Sequence, residues 1–208
     1  GQLLAEYYDF VPQCAARPDI DFYLSYSRKA NGPILELGCG TGRVLIPTAA
    51  AGCAMVGLEL SRQMLAKCRA KLRAYPAEVR RRVQLIHGNM AAFCFKRKFG
   101  LVTIPYRAFQ HLLTVQEQLS CLRCVNRHLM MGGKLILDLF QVDPAILGEP
   151  LCKKEMALSP EVKLPDGRRL HSTTRVTSAH PLEQYHNCEL IVHVKHPGGR
   201  RQRFVQPF

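Results

Sequence analysis

Three glycines and two carboxylates stand close together in the chain, and their types and spacing suit the recognition of a nucleoside. Gly38, Gly40 and Gly42 occupy alternate positions, and the acids Glu36 and Glu59 lie before and after them. Glycine lacks a Cβ and tolerates positive φ, so a ligand can approach bare backbone and the free amides of a helix N-terminus. A carboxylate only accepts hydrogen bonds, which suits the two hydroxyls of a ribose. We therefore expect this region to bind a nucleoside-like cofactor.

A second pair of candidate residues, Arg107 and His111, follows the apolar run that ends at Pro105. A neutral imidazole can accept a proton from an attacking amine or hydroxyl, which would give His111 a catalytic or substrate-binding role. The alternative for His111 is a structural role in a helix turn. The guanidinium of Arg107 is suited to holding an acidic group of a substrate. No histidine or cysteine spacing indicates a metal site.

Hydrophobic patterning predicts the elements that position these residues. An apolar strand over 34–37 leads into the glycines, a helix over 43–51 follows them, and a second strand over 54–58 ends at Glu59. The pattern then predicts helices over 61–74 and 115–130 and strands over 83–87, 101–105 and 134–140. Such alternation predicts a parallel sheet whose carboxyl edge holds the ligand. Met131 to Gly133 are expected to form the turn before the last of these strands.

The two ends of the chain have different patterns. The apolar pattern over residues 2–30 predicts helices, and Asp19 or Asp21 is expected to cap the N-terminus of the second helix. Period-two alternation predicts strands over 153–164, 168–178, 187–195 and 200–206. The glycine-containing turns at 165–167 and 197–199 join them into an antiparallel β meander.

Composition limits the classes of protein that this chain can represent. Its 208 residues are 47% hydrophobic and contain no apolar run near the ~20 residues of a membrane span, so no membrane association is expected. The net charge of +13 favours acidic partners in general, but the positive residues are dispersed along the chain. A solvated surface is therefore favoured over a nucleic-acid groove, which stays an open alternative. Nine cysteines without a disulfide framework fit a reducing cytoplasm.

The segment Pro33–Arg43 resembles motif I of the class I S-adenosylmethionine-dependent methyltransferases. The resemblance extends to Phe140, about half of the chain. Gly88-Asn89-Met90 resembles the family's Gly-Asp-Met segment with Asn in place of Asp, and Leu129–Asp138 resembles its helix-turn-strand. Ala5–Asp9 resembles a helix that covers the cofactor in small-molecule methyltransferases, and the late meander is similar to an insertion in sugar N-methyltransferases.

The resemblance implies S-adenosylmethionine as the cofactor and assigns contacts to it. The implied contact residues are Tyr8, Glu36, Gly38, Cys39, Gly40, Gly42, Glu59, Leu60, Met64, Asn89, Met90 and Ile104. Several assignments keep an alternative: Asn89 as a turn residue, Met64 and Met90 as plain core, and Tyr8 as helix-face packing. Arg43 either contacts the carboxylate of the cofactor's methionine moiety or forms a surface salt bridge.

The same resemblance implies a Rossmann-like doubly wound fold with three parts. These are a helical lid over 1–32, a cofactor-binding core over 33–143, and a β extension over 144–208 that belongs to the same domain. The family's last strands have no counterpart here, so an open sheet edge and a homodimer through that edge are expected.

The implied activity is methyl transfer to a nitrogen or oxygen of a small molecule, with an acidic acceptor among the options. Methylation of RNA or protein is one alternative, and a non-catalytic binding protein of the same fold is another. No Asn-Pro-Pro-Tyr-like segment follows the fourth strand, where Ile104 to Arg107 stand instead. This argues against methylation of DNA bases.

Overall fold

The structure is a computed structural model that describes residues 2–11, 17–141, 154–180, 182–183 and 185–207. The chain divides into two compact units. We call Pro18–Phe140 the α/β unit, and Gly1–Arg17 together with Gln141–Phe208 the β unit. The expected boundary between 143 and 144 lies outside the described residues, so the division into lid, core and extension stays a prediction.

A five-stranded parallel sheet forms the centre of the α/β unit. Its strands are β1 (Ile34–Leu37), β2 (Met55–Glu59), β3 (Val83–His87), β4 (Phe99–Ile104) and β5 (Leu129–Leu137). All neighbouring strands are parallel, in the order β3-β2-β1-β4-β5. This confirms the predicted Rossmann-like fold. The order reverses between β1 and β4, the point at which such sheets bind ligands beyond their carboxyl ends.

Helices connect β1 to β2, β2 to β3 and β4 to β5, and polar side chains cap two of them. The α/β unit contains α2 (Ile20–Ser27), α3 (Leu45–Ala50), α4 (Arg62–Arg73), α5 (Ala77–Arg81) and α6 (Val115–His128), while α1 (Gln2–Tyr7) lies in the β unit. The Ser61 hydroxyl accepts a hydrogen bond from the Met64 N–H at 3.3 Å and caps α4. Thr114 and Glu117 form a reciprocal capping box for α6.

Alternation along β1 distributes its side chains between two apolar cores. Leu35 and Leu37 are fully buried in a core shared with α6, where both Cys121 and Cys124 lie. Ile34 faces the other side of the sheet, in a core shared with α3, α4 and α5. Helices therefore cover both faces of the sheet, as continuous apolar strands require.

The junction between α6 and β5 differs from its prediction. The helix ends at His128 and β5 begins at Leu129, so Met131 to Gly133 lie inside the strand. They form an irregular bulge between the pairs Phe99↔Leu129 and Leu101↔Lys134, with Gly132 at φ +73°. His128 fixes the helix end, because its Nε2 accepts from the Phe95 N–H at 2.8 Å and its Nδ1 then donates to the Cys124 carbonyl at 2.7 Å. The short helix α5 was not predicted. A 3₁₀ turn covers Ala108–His111, so His111 lies in a helical turn, as its alternative expected.

The β unit contains an antiparallel sheet, which confirms the predicted meander. Its strands are β6 (Met156–Ala157), β7 (Val162–Lys163), β8 (Arg169–His180), β9 (Tyr185–Lys195) and β10 (Arg201–Pro207). The order is β10-β9-β8-β6, and β7 also pairs with β8. The single strand predicted over 153–164 is thus two short strands. Gly167 at φ +84° and Gly199 at φ +82° form the two predicted turns.

Two further predictions concern thiols and membranes. The seven described cysteines are all free, as expected without a disulfide framework, and Cys121 and Cys124 are buried in α6. None of the described helices combines the length and the apolarity needed to cross a bilayer.

Candidate functional site

The glycine loop after β1 has the backbone that the sequence predicts. Gly38, Gly40 and Gly42 have φ values of +68°, +54° and +83°, a region that L side chains rarely adopt. A Cβ on Gly38 would lie 2.7 Å from the Cβ of Ala108, and one on Gly42 would lie 2.7 Å from the Sγ of Cys68. A Cβ on Gly40 would meet nothing within 4 Å. The outer two glycines thus permit close packing, while the middle one leaves bare backbone facing open space.

Glu59 joins this loop to the next helix. Its Oε2 accepts a hydrogen bond from the Gly40 N–H at 2.9 Å, and its Oε1 accepts from the Ser61 N–H at 2.7 Å. The Gly38 N–H donates to the Leu58 carbonyl at 2.8 Å, which holds the loop at the carboxyl end of β2. Each carboxylate oxygen retains acceptor capacity beyond these bonds. Bare backbone and an acceptor carboxylate therefore meet at one place, and an adenosine with its ribose diol fits this donor and acceptor set.

Glu36 is a buried carboxyl beneath the start of α3. Its Oε2 has no hydrogen-bond partner among the described residues. Burial raises the pKa of Glu36 from an ordinary 4.5 to about 8, although the nearby Arg43 guanidinium and a hydrogen bond from the Leu45 backbone oppose the rise. A buried acceptor without a partner is costly. Such an atom beside the glycine loop is suited to a ligand donor.

Arg43 forms a bidentate ion pair with Asp19 rather than facing open solvent. Its Nη1 and Nη2 donate to the two Asp19 oxygens at 2.5 and 2.8 Å, and the two side chains are only 13% and 18% exposed. The salt bridge expected for Arg43 is thus present, but it is largely buried and not on the surface. Asp19 occupies the N-cap position of α2 without a side-chain cap bond, so its predicted capping role is wrong because Arg43 takes its carboxylate.

Asn89 and Met90 lie in the turn that follows β3. The Oδ1 of Asn89 accepts a hydrogen bond from the Ala91 N–H at 2.8 Å, which is the turn role kept open for it. One lone pair of that oxygen and the side-chain amide remain for an adenine contact. The methyl carbon of Met90 lies 3.5 Å from where a Cβ of Gly38 would stand. Met90 therefore lies beside the glycine loop.

The other predicted contact residues differ in how much side chain they offer. Leu60 is 63% exposed, while Met64 is buried. The side chains of Cys39 and Ile104 are also buried, so a contact with a ligand would run through their main chain. Tyr8 lies in the β unit, and its predicted role as a lid stays a prediction. His87, the last residue of β3, is exposed, with its Nε2 2.9 Å from the Leu60 carbonyl oxygen.

The segment after β4 is strained and held in place from β5. Tyr106 and Arg107 have φ values of +52° and +62°, left-handed values that are uncommon for residues other than glycine. The Tyr106 N–H donates to Asp138 at 3.1 Å, and the Gln110 side chain bonds both the N–H and the carbonyl of Phe140. Strain of this kind clusters at ligand sites.

The strained segment presents the two candidate catalytic residues. The Arg107 guanidinium stacks on the Phe140 ring at 4.4 Å from its centroid and forms no ion pair with a described residue. His111 is the exposed last residue of the 3₁₀ turn that begins at Ala108. Because Ala108 packs against Gly38, this segment borders the glycine loop.

Sequence reasoning missed one part of this region. Tyr23 of α2 is buried, and burial together with the neighbouring carboxylates, Asp138 first among them, raises its pKa. A tyrosine inside a predicted helix carries no signal that places it near strand ends. The acid after β5 was visible in the sequence, but its bond to the Tyr106 backbone depends on the strained turn.

Comparison with protein families identifies a methyltransferase domain over residues 34–133. The chain is 32% identical over 124 residues to a cypemycin N-terminal methyltransferase of Streptomyces, covering 59% of this chain and 47% of that protein. It is 29% identical over 141 residues to a dTDP-3-amino-3,6-dideoxy-alpha-D-glucopyranose N,N-dimethyltransferase of Streptomyces fradiae, covering 65% of this chain and 52% of that protein. The chain thus spans about half the length of the curated relatives it matches.

Solved structures are similar over the chain's length. The CcbJ methyltransferase from Streptomyces caelestis has a TM-score of 0.75 and 28% identity, covering 100% of this chain and 79% of that one. CalS10, an amino pentose methyltransferase of Micromonospora echinaspora solved with S-adenosylmethionine bound, has a TM-score of 0.67 and 25% identity, covering 97% of this chain and 75% of that one.

Proposed function

We propose that this chain, which belongs through residues 34–133 to the class I S-adenosylmethionine-dependent methyltransferases, transfers a methyl group to a nitrogen or oxygen of a small molecule. The observation that carries the proposal is the hydrogen bond between Glu59 and the Gly40 backbone. It holds an acceptor carboxylate beside the bare main chain of Gly40, where an added Cβ would meet nothing within 4 Å.

The chain's own residues have separable tasks in this proposal. Glu59 accepts from the ribose hydroxyls, Gly40 admits the ligand to the backbone, and Asn89 contacts the adenine amine. S-adenosylmethionine, when bound, supplies an electrophilic methyl group, so the protein mainly provides orientation and a dry site. His111 accepts the proton that an attacking amine or hydroxyl releases. No further acid–base pair is required.

Arg107 supports an acceptor that carries a negative charge. Its guanidinium is exposed, held on an aromatic ring and not neutralised by a described carboxylate. A planar guanidinium binds phosphate or carboxylate through two parallel hydrogen bonds. The Streptomyces fradiae relative acts, by its name, on an amino sugar linked to a nucleoside diphosphate. An acceptor that combines an amine with an acidic group is therefore the class we propose.

A peptide amine is the second candidate acceptor. The relative with 32% identity is named for methylation of the N-terminus of cypemycin. Peptides and amino sugars both present a primary amine, and both are compatible with a proton acceptor at His111. The two acceptors differ in the anionic group that they carry, so their binding is expected to depend on Arg107 to different extents.

Assembly and location complete the proposal. Among the described strands of the parallel sheet, β3 and β5 form its edges, and an unpaired edge favours association of two copies into a dimer. A cytoplasmic location is supported by the seven described cysteines, which are all free thiols.

Calorimetry with S-adenosylmethionine and S-adenosylhomocysteine tests the site directly. We expect micromolar affinity, about 8 kcal/mol of binding free energy. Glu59→Ala is expected to weaken it by tenfold or more, because the ribose and the Gly40 N–H both lose their acceptor. Glu78→Ala is the matched control, since it removes an exposed glutamate from α5. Unchanged affinity in the Glu59 variant would refute the ribose role.

A second experiment addresses the acceptor. Transfer of a radiolabelled methyl group to amino sugars, nucleotide-linked amino sugars and peptides with a free N-terminus separates the two candidates. Cofactor binding without transfer to any of these would favour a non-catalytic binding protein.

A further inference from the structure

Most of the chain's excess positive charge comes from one segment. Residues 60–98 contain eleven lysines and arginines and a single acid, Glu78, and therefore carry a net charge of +10 out of the total of +13. The rest of the chain is close to balanced. Most of the excess positive charge thus belongs to the helices and loops around β3.

The fold gathers seven of these cations at the amino ends of the strands. Arg82 directly precedes β3, α5 ends at Arg81, and α4 ends at Arg73 near the same edge of the sheet. Lys98 directly precedes β4. The Arg97 guanidinium donates to the Gln84 side chain on β3, so the cations before β4 lie beside those before β3. We call this set the basic rim; its members are Arg73, Arg80, Arg81, Arg82, Lys96, Arg97 and Lys98.

The basic rim is largely without counter-charge, because Glu78 is the single acid in residues 60–98 and forms no ion pair with a rim residue. All of its members except the half-buried Arg82 are exposed, and none forms an ion pair with a described residue. In the β unit, by contrast, four described arginines pair with acids, among them Arg175 with Glu189 and Arg203 with Glu155. Repulsion within an unpaired cluster destabilises the free protein unless a polyanion covers it.

We propose that the basic rim binds the phosphate backbone of a nucleic acid. Five of its seven members are arginines, whose fork of donors matches phosphate oxygens better than a lysine ammonium does. Tyr75 lies between Arg73 and Arg80 and is 37% exposed, which provides an aromatic face for a base. A membrane surface is less suitable, because an interfacial helix needs a broad apolar face beside its charges.

The rim lies at the opposite end of the strands from the glycine loop. Gly38 and Glu59 follow the carboxyl ends of β1 and β2, whereas Arg82 and Lys98 precede the amino ends of β3 and β4. A strand of five residues separates the two edges by about 17 Å. Nucleic acid bound here would therefore anchor the protein and is not the group that receives the methyl.

Fluorescence anisotropy of the full chain with a labelled uridine RNA tests the proposal. The RNA should be longer than about 16 nucleotides, the upper length that one single-strand binding site covers. Arg80→Gln/Arg81→Gln and Lys96→Gln/Lys98→Gln each remove two rim charges from different elements. Arg200→Gln/Arg201→Gln is the matched control, since it removes the same charge from the exposed turn before β10 and the strand's first residue.

Both rim variants are expected to bind RNA about tenfold more weakly and to lower the slope of log K against log salt by about 1.4. The control should bind like the parent chain, and circular dichroism should show that all variants fold, with unfolding temperatures of the rim variants no lower than that of the parent because repulsion is relieved. Equal weakening in the control would reduce the effect to net charge and overturn the proposal. Binding of phosphatidylserine vesicles or polyglutamate without binding of RNA would overturn it as well.

Discussion

Three ionisable residues of the α/β unit lie in surroundings that are unusual for a charged group. Glu36 is fully buried with one oxygen unpartnered, and Arg43 beneath the glycine loop is neutralised by Asp19. Arg107 lies on an aromatic ring instead of an acid. These three positions make stability and ligand affinity depend on charge in ways that can be measured.

Glu36 should make the stability of the chain fall as pH rises. Its folded pKa of about 8 lies above the unfolded value near 4.5, so the folded state holds an extra proton between these pH values. Stability from this group is full below about pH 4.5 and is lost as pH rises through 8, at up to about 1.4 kcal/mol per pH unit. Urea unfolding of Glu36→Gln between pH 5 and 8 should lack this slope, whereas the exposed Glu78→Gln should keep it. Parallel curves for parent and Glu36→Gln would contradict the assignment.

Arg107→Asn tests the anionic acceptor without adding backbone strain, because asparagine tolerates the left-handed region. Losing a charged hydrogen bond of about 1.5–3 kcal/mol should raise KM for an acidic acceptor about ten- to hundredfold. Cofactor affinity should stay the same. KM measured with an uncharged amine acceptor is the control and should change little. An equal rise in KM for both acceptors would mean that Arg107 maintains the shape of the turn and does not bind the anionic group.

At the scale of elements, the glycine loop serves packing and ligand access at different positions. Gly42 lies against α4, where a Cβ would meet the Sγ of Cys68, and Gly38 lies against the segment after β4. Gly40 alone faces open space and donates to Glu59. Substitution of these three glycines, which look equivalent in the sequence, is therefore expected to affect stability and ligand affinity to different extents.

Gly40→Ala and Gly42→Ala should separate affinity from stability. Gly40→Ala should cost only about 1–2 kcal/mol of unfolding free energy for its positive φ, yet greatly weaken S-adenosylhomocysteine binding because a methyl group occupies the ligand's place. Gly42→Ala should cost about 2–4 kcal/mol because it also overpacks the core. Urea unfolding and calorimetry on both variants check this. Larger destabilisation by Gly40→Ala than by Gly42→Ala would show that the loop packs differently.

At the scale of the molecule, the α/β unit uses both ends of its parallel sheet. The carboxyl edge carries the glycine loop, Glu59 and the strained segment, and the amino edge carries the basic rim. A parallel sheet makes this separation inevitable, because all strands begin at one edge and end at the other. Methyl transfer and nucleic-acid binding are therefore expected to be independent of each other.

Features that depend on neighbours in sequence were predictable. The glycine turn, the strands β1 to β3, the Ser61 cap and the two β hairpins follow from backbone preferences over a few residues, and the structure contains all of them. The bulge in β5 was not predicted, because the two glycines that suggested a turn are equally suited to an irregular strand.

The sequence by itself determined the fold class and the identity of the residues that form the glycine loop. Only the tertiary structure decided which distant groups meet: Asp19 with Arg43, Arg107 with Phe140, and Arg97 with Gln84. The reason is physical, since backbone preferences act over a few residues, whereas ion pairs and burial depend on packing between segments far apart in the chain. Burial of Glu36 and the clustering of the basic rim were likewise decided by the tertiary structure.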